Sequence, residues 1–250
     1  MEKELTLSDK KERNLSSLSY RKGLKDGLPI GLGYLSVSFA FGVQASIAGV
    51  PLLMSVFISM TNLTSAGQLA GLNIIAACGT ILEMILTQLV INARYFLMSI
   101  TLTQKLDGSF SFGHRLLCSA FVTDEIFAIA AAKPKTFGRK YFYGLVVLPY
   151  VGWTLGTLLG GAAGNILPSF VTNALGIALY AMFIAIILHP SITTKGVFPA
   201  VAIGAGLSCA IYFIPAFSGV STGMAIIISA LVAALIVAFI FPIKVEEDEK

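Results

Sequence analysis

Apolar residues in this chain fall in long blocks separated by brief polar breaks, the pattern expected when lipid is the solvent. A bilayer core takes about 20 helical residues to cross. Residues 27–48 meet that length and end at Gly49-Val50-Pro51. A shorter apolar run, 52–60, gives way to the polar stretch Thr61-Asn62-Leu63-Thr64-Ser65-Ala66-Gly67-Gln68. Residues 69–91 resume a full-length span that ends at Asn92-Ala93-Arg94. Another short run, 95–103, then leads to the polar loop 104–115, and 116–132 reads as the next span. Four clean blocks follow, at 141–164, 171–188, 197–214 and 221–241. The pattern predicts an all-α integral membrane protein of roughly eight transmembrane segments, with broken or re-entrant helices in its N-terminal half.

Composition sharpens this. At 56% hydrophobic and 12% charged, with mean hydropathy +0.85, the chain has about half the charge of a soluble domain and could not solvate a globular surface. Its charge is clustered. Lys3, Lys10, Lys11, Arg13, Arg21, Lys22 and Lys25 make residues 1–26 a basic tail, expected in the cytoplasm. The tail has no apolar core of its own, so the first helix is expected to direct insertion. Lys133, Lys135, Arg139 and Lys140 form a second basic loop, also expected inside. Two crossings later Lys195, and four crossings later Lys244, return to the same side. Residues 27–242 are thus the polytopic transport domain, and 243–250 an acidic cytoplasmic tail of a multi-pass cell-membrane protein with both termini inside. The segment between the first span and Lys133 must cross an odd number of times, so one of its short runs is re-entrant or half of a broken helix. A basic-aromatic face for nucleic acid is missing.

Few residues in the apolar region can carry chemistry. The acidic groups between residues 27 and 241 are Glu83, Asp107, Asp124 and Glu125, and Arg94 is the one base away from a loop or helix end. Burying such a group costs roughly 3 kcal/mol on insertion scales, so each normally faces a partner or a water-filled cavity. Arg94 pairs with Asp124 or Glu125 as a strut, snorkels to the interface, or serves transport. Glu83 makes an interhelical hydrogen bond or couples a proton. The break at residues 61–68 either lines a cavity, with Asn62, Thr64, Ser65 and Gln68 as candidate ligands beside exposed peptide dipoles, or is an external loop. Asn92 joins Arg94 in a second polar cluster. Gly152, Gly156, Gly160 and Gly164 recur every four residues and mark a face for close helix approach. Residues 27–42 and 144–161 each open on glycine and carry an early proline, a faint internal repeat.

Enzymatic readings find little support. Gly219-Val220-Ser221-Thr222-Gly223 matches a nucleophile-elbow pattern, but it joins two apolar helices and reads as a turn. His114 and His189 have no recognisable base context. Cys78, Cys118 and Cys209 stand singly, and there is no phosphate loop, zinc motif or dinucleotide fingerprint. No catalytic residue, metal or cofactor is expected.

Four stretches together resemble the AzlC family, the large subunit of bacterial branched-chain amino-acid exporters. They are the run ending at Gln68, Asn92-Ala93-Arg94-Tyr95 at a span end, Thr123-Asp124-Glu125, and Trp153-Thr154-Leu155-Gly156 before a Gly-rich span. Thr64-Ser65 stands where the family has Ala-Gly, and Tyr95 where it has His, which makes this neighbourhood more polar and removes an imidazole. The resemblance implies ion-coupled export of branched-chain and other hydrophobic amino acids from the bacterial plasma membrane. It also implies a small membrane subunit of the AzlD type as partner. A non-transporting membrane scaffold, or a transporter of another small solute, is the alternative.

Overall fold

The computed structural model describes residues 19–133, 136–164 and 166–241. The basic tail up to residue 18, Lys135 and the acidic tail 243–250 lie outside the described residues. Within them the protein is all-helical. Its helices are α1 (Tyr20–Ile47), α2 (Leu52–Thr61), α3 (Ser65–Ala76), α4 (Ile81–Thr103), α5 (Phe112–Ser119), α6 (Asp124–Ala131), α7 (Arg139–Ala163), α8 (Ser169–Thr193), α9 (Val197–Phe213) and α10 (Thr222–Ile240), with a 3₁₀ turn at Pro215–Phe217. Four described helices, α1, α4, α7 and α10, are long and apolar enough to cross a membrane by length and composition, short of the eight expected.

The chain forms two compact units, residues 1–68 with 92–175 and residues 69–91 with 176–250. In the first, α1 and α7 lie parallel, backbone against backbone. A Cβ on Gly152 would run into the Gly31 carbonyl, on Gly156 the Leu35 carbonyl, and on Gly160 the Phe39 carbonyl. From the other side, a Cβ on Gly27 would meet the Leu145 carbonyl and on Gly42 the Thr157 carbonyl. The predicted glycine face of α7 therefore closes on a glycine face of α1, and the two faintly similar segments are partners. Lipid gives two apolar helices no hydrophobic reason to associate, so this close van der Waals fit supplies it. α1 also starts earlier than the apolar block, because Ser19 caps it by accepting from the Lys22 N–H at 3.3 Å.

Below this pair lies a layer of loops. Asp26 meets Lys133 Nζ at 2.8 Å, Lys22 Nζ at 2.6 Å and the Tyr141 hydroxyl at 2.8 Å. Leu106 and Phe137 form an isolated parallel bridge, Lys105 Nζ donates to the Lys133 carbonyl at 2.9 Å, and the Arg139 N–H donates to Ser109 Oγ at 3.0 Å. Lys22 and Asp26 of the first basic segment and Lys133 of the second thus share one end of the first unit. Phe110, Phe137, Tyr141, Phe142 and Leu145 are buried above them.

Three boundaries differ from expectation. The span expected at 116–132 is two eight-residue helices, α5 and α6, interrupted at residues 120–123. Each is too short to cross, and both outer ends are tied into the same loop layer. The polarity of Asn92-Ala93-Arg94 does not interrupt a helix: α4 runs through it, because those residues are compatible with helix and Arg94 has a partner. The interruption falls instead at Ala77 to Thr80, where Cys78 takes a left-handed φ of 53° and Thr80 Oγ1 accepts from the Glu83 N–H at 3.1 Å. In the first polar stretch only residues 62–64 leave the helix.

In the second unit α9 and α10 are antiparallel: Gly196 faces Val237 and Phe241, and Gly204 faces Ala233. Gly71 of α3 faces Met84 and Gln88 of α4.

Gly156→Val should overpack the α1–α7 seam, costing about 1–3 kcal/mol and lowering the midpoint of a detergent thermal melt. Gly33→Ala, where nothing lies within 4 Å of the new methyl, should leave it unchanged or raise it. Single cysteines replacing Asp107 and Lys133, in a protein stripped of its three native cysteines, should react with an impermeant maleimide from the same side of the membrane. Labelling from opposite sides would mean that α5 and α6 cross.

Candidate functional site

Both helix interruptions of the first unit meet the middle of α7. The Tyr150 hydroxyl donates to the Met60 carbonyl near the end of α2 at 3.2 Å, and the Tyr150 ring packs edge-on against Phe121 in the other break, with centroids 5.4 Å apart. Interrupted helices expose peptide groups that hydrocarbon cannot satisfy, so such breaks are stable only where protein or a cavity meets them.

The second break ends at Thr123, whose Oγ1 accepts from the Ile126 N–H at 3.4 Å and so caps α6. That cap sets Asp124 and Glu125 in the first turn, at the positive end of the helix dipole. Arg94 Nη2 reaches Asp124 Oδ2 at 2.8 Å, and the two side chains keep 44% and 32% of their surface open. The guanidinium also donates to the Tyr95 hydroxyl at 3.3 Å and lies 5.0 Å from that ring's centre. Tyr95 in turn donates to Thr64 Oγ1 at 3.4 Å, which links the first break to the second. Glu125 takes a hydrogen bond at 2.5 Å from Tyr34, a buried residue midway along α1, whose hydroxyl also lies 2.7 Å from Thr123 Oγ1. With all three groups ionised, one cation faces two carboxylates, and the centre carries an excess negative charge.

A second, uncharged chain adjoins this. Gln68 Nε2 donates to the Asn62 carbonyl at 2.8 Å and to Ser59 Oγ at 3.1 Å; Ser59 and Thr157 hydroxyls lie 2.7 Å apart; Thr157 Oγ1 donates to the Trp153 carbonyl at 3.2 Å. All these side-chain hydroxyls and the amide are buried. Trp153 meets the Tyr34 ring edge-on at 5.1 Å, which connects the uncharged chain to the carboxylates.

Of the expected site residues, Asn62, Thr64, Gln68, Arg94, Asp124 and Glu125 are linked here. Ser65 opens α3, half-buried, and Asn92 lies half-buried on α4 two residues before Arg94. Glu83 belongs to the second unit and makes an interhelical bond there. Its Oε1 accepts from the Gly223 N–H at 2.6 Å, and Ser221 hydrogen-bonds the same carboxylate. Ser221 Oγ also accepts from the Met224 N–H at 3.4 Å as the cap of α10. The Gly-x-Ser-x-Gly motif is therefore a helix start: a Cβ on Gly223 would strike the Glu83 side chain. Among the described residues no three His, Cys, Asp or Glu gather as a metal site.

Sequence reasoning did not single out Tyr34, Ser59 or Thr157, and it met Thr123 and Trp153 only within the motifs of the resemblance, with no role at the site. Tyr34 carried a usable signal, because a tyrosine inside an apolar span must find a partner for its hydroxyl. Ser59 and Thr157 carried none, since hydroxyls inside helices ordinarily bond a carbonyl one turn back.

A family model described as AzlC protein matches residues 29–167. The chain is 30% identical over 179 residues to the inner membrane protein YgaZ of Escherichia coli (strain K12), covering 69% of this chain and 73% of that one. It is 32% identical over 192 residues to an uncharacterized membrane protein of Archaeoglobus fulgidus, covering 76% and 83% respectively. Over 196 residues it is 24% identical to the branched-chain amino acid transport protein AzlC of Bacillus subtilis (strain 168), covering 77% and 75%. No solved structure matches the chain.

Tyr34→Phe removes the hydrogen bond that α1 donates to Glu125, and leaves that carboxylate oxygen without it beside α6. It should lower the thermal midpoint by a few degrees, as loss of a buried bond worth about 1–3 kcal/mol does. An unchanged midpoint would mean that Glu125 finds equal solvation elsewhere.

Proposed function

The chain belongs to the AzlC family, and from that premise we propose that it is the large membrane subunit of a secondary transporter exporting branched-chain and other hydrophobic amino acids. Membrane transport is the family's role, in line with the non-enzymatic reading of the sequence, and one relative is named for branched-chain amino acid transport. The observation that carries the proposal is the Arg94–Asp124 pair beside Glu125, between two helix interruptions. A zwitterion brings one carboxylate and one ammonium group. Arg94, or the backbone amide ends of the broken segment near Gln68, meets the carboxylate; Asp124 or Glu125 meets the ammonium or receives a coupling proton. The excess negative charge supports this division, because it leaves a carboxylate free to load a proton while the ion pair persists. Glu83, sealed against α10, is a further coupling candidate. Apolar walls select the side chain.

The small subunit is of the AzlD type, as the family resemblance implies, and the protein resides in the bacterial plasma membrane. Its basic segments, held at one end by the Asp26–Lys133 pair, face the cytoplasm.

Cells expressing the chain with its small partner should export leucine, isoleucine and valine. Arg94→Gln, Asp124→Asn and Glu125→Gln should each lower efflux at least about tenfold at normal membrane abundance. Efflux at the wild-type rate in all three would mean that these groups are struts. A reconstituted pair that moves no amino acid at all would favour a scaffold.

A further inference from the structure

Gln68 Oε1, Trp153 Nε1 and Thr154 Oγ1 are buried polar atoms of the first unit with no hydrogen-bond partner among the described residues. The threonine hydroxyl can turn to a carbonyl of its own helix, whereas the other two are held by their surroundings, and the assignment above uses neither. Both residues are only 2% exposed. Their roles are fixed by chemistry. Gln68 must turn its NH₂ toward the Asn62 carbonyl, which can only accept, so the oxygen is the open end. An indole N–H can only donate. The pair thus offers one acceptor and one donor, each of which would cost about 1–3 kcal/mol if left unmet.

The two atoms belong to one structure. Gln68 is held by Ser59, Ser59 by Thr157, and Thr157 stands one helical turn beyond Trp153 on the same face of α7. The Trp153 ring abuts Tyr34, which holds Glu125. We propose that Gln68 Oε1 and Trp153 Nε1 seat the head group of an α-amino acid, the amide oxygen accepting from its ammonium and the indole N–H donating to its carboxylate. The inference rests on the amino-acid transport reading above. A carboxylate has two oxygens and an ammonium three protons, so this neutral seat complements the charged groups. Being neutral, it adds no charge that an incoming zwitterion would have to balance, and a molecule carrying one half of the head group satisfies only one of the two atoms.

Leucine counterflow into proteoliposomes holding the full chain and its small partner tests this, with isoamylamine (leucine lacking its carboxylate) and isocaproate (leucine lacking its ammonium) as competitors. Trp153→Phe should raise the half-saturating leucine concentration about tenfold, the worth of one hydrogen bond to a charged group, and leave inhibition by isoamylamine unchanged. Gln68→Met should do the same for leucine and leave inhibition by isocaproate unchanged. Wild-type behaviour of Trp153→Phe, or an equal loss for leucine and both analogues in either variant, overturns the seat while the transport reading stands. Wild-type proteoliposomes without leucine counterflow overturn the transport reading, and the seat with it.

Discussion

Everything in the first unit depends on how closely α1 and α7 approach. Glycine on both helices lets backbone meet backbone, and side chains that in a looser pair would be separated by a layer of methyl groups are brought into contact. Tyr34 reaches Trp153 across that seam, and the Ser38 hydroxyl lies 3.4 Å from the Gly152 carbonyl. The parallel arrangement also fixes which ends coincide. Asp26 meets both Lys133 and Tyr141, and Lys105 meets the Lys133 carbonyl, so α5 and α6 start and finish in one layer.

The helix interruptions follow from the same constraint. A continuous helix in lipid satisfies its own backbone and offers nothing to a solute. Breaking α2 from α3, and α5 from α6, exposes peptide groups and places polar side chains at helix ends. Those ends are then secured by Tyr150, by the Thr123 cap and by the Arg94–Asp124 pair. What results is a polar centre with a buried uncharged chain and a partly open charged group, mostly matched, with an excess carboxylate and with Gln68 Oε1 and Trp153 Nε1 unpartnered. A centre satisfied in every detail would be a strut; one with unmet valences of both kinds is suited to a ligand that carries both.

Long apolar blocks were legible because lipid demands length: α1, α7, α8, α9 and α10 fall on the expected stretches. The short helices were harder, since polarity and helix breaking are different properties. Asn92-Ala93-Arg94 looked like an end and is helical; Ala77 to Thr80 looked unremarkable and holds the turn, through a left-handed Cys78 and a capping Thr80. For the site, the rarity of charge inside an apolar chain pointed to Arg94, Asp124 and Glu125, and their pairing depended on tertiary structure alone. Glu83 satisfied the same rule yet belongs to a helix cap elsewhere. The uncharged members, Ser59, Thr157 and Trp153, are ordinary residues of membrane helices, and only the fold reveals that they form a chain.

The account's central claim is that a transported amino acid occupies the polar centre between the helix interruptions, and substrate protection tests it most directly. A cysteine replacing half-buried Ser65, at the start of α3, in protein lacking its native cysteines, would be modified by a small methanethiosulfonate reagent with and without leucine. The account predicts that leucine slows modification several-fold, while a cysteine replacing exposed Ile214 reacts at the same rate throughout. Equal rates at residue 65 with and without leucine, in protein that still transports it, would contradict the account.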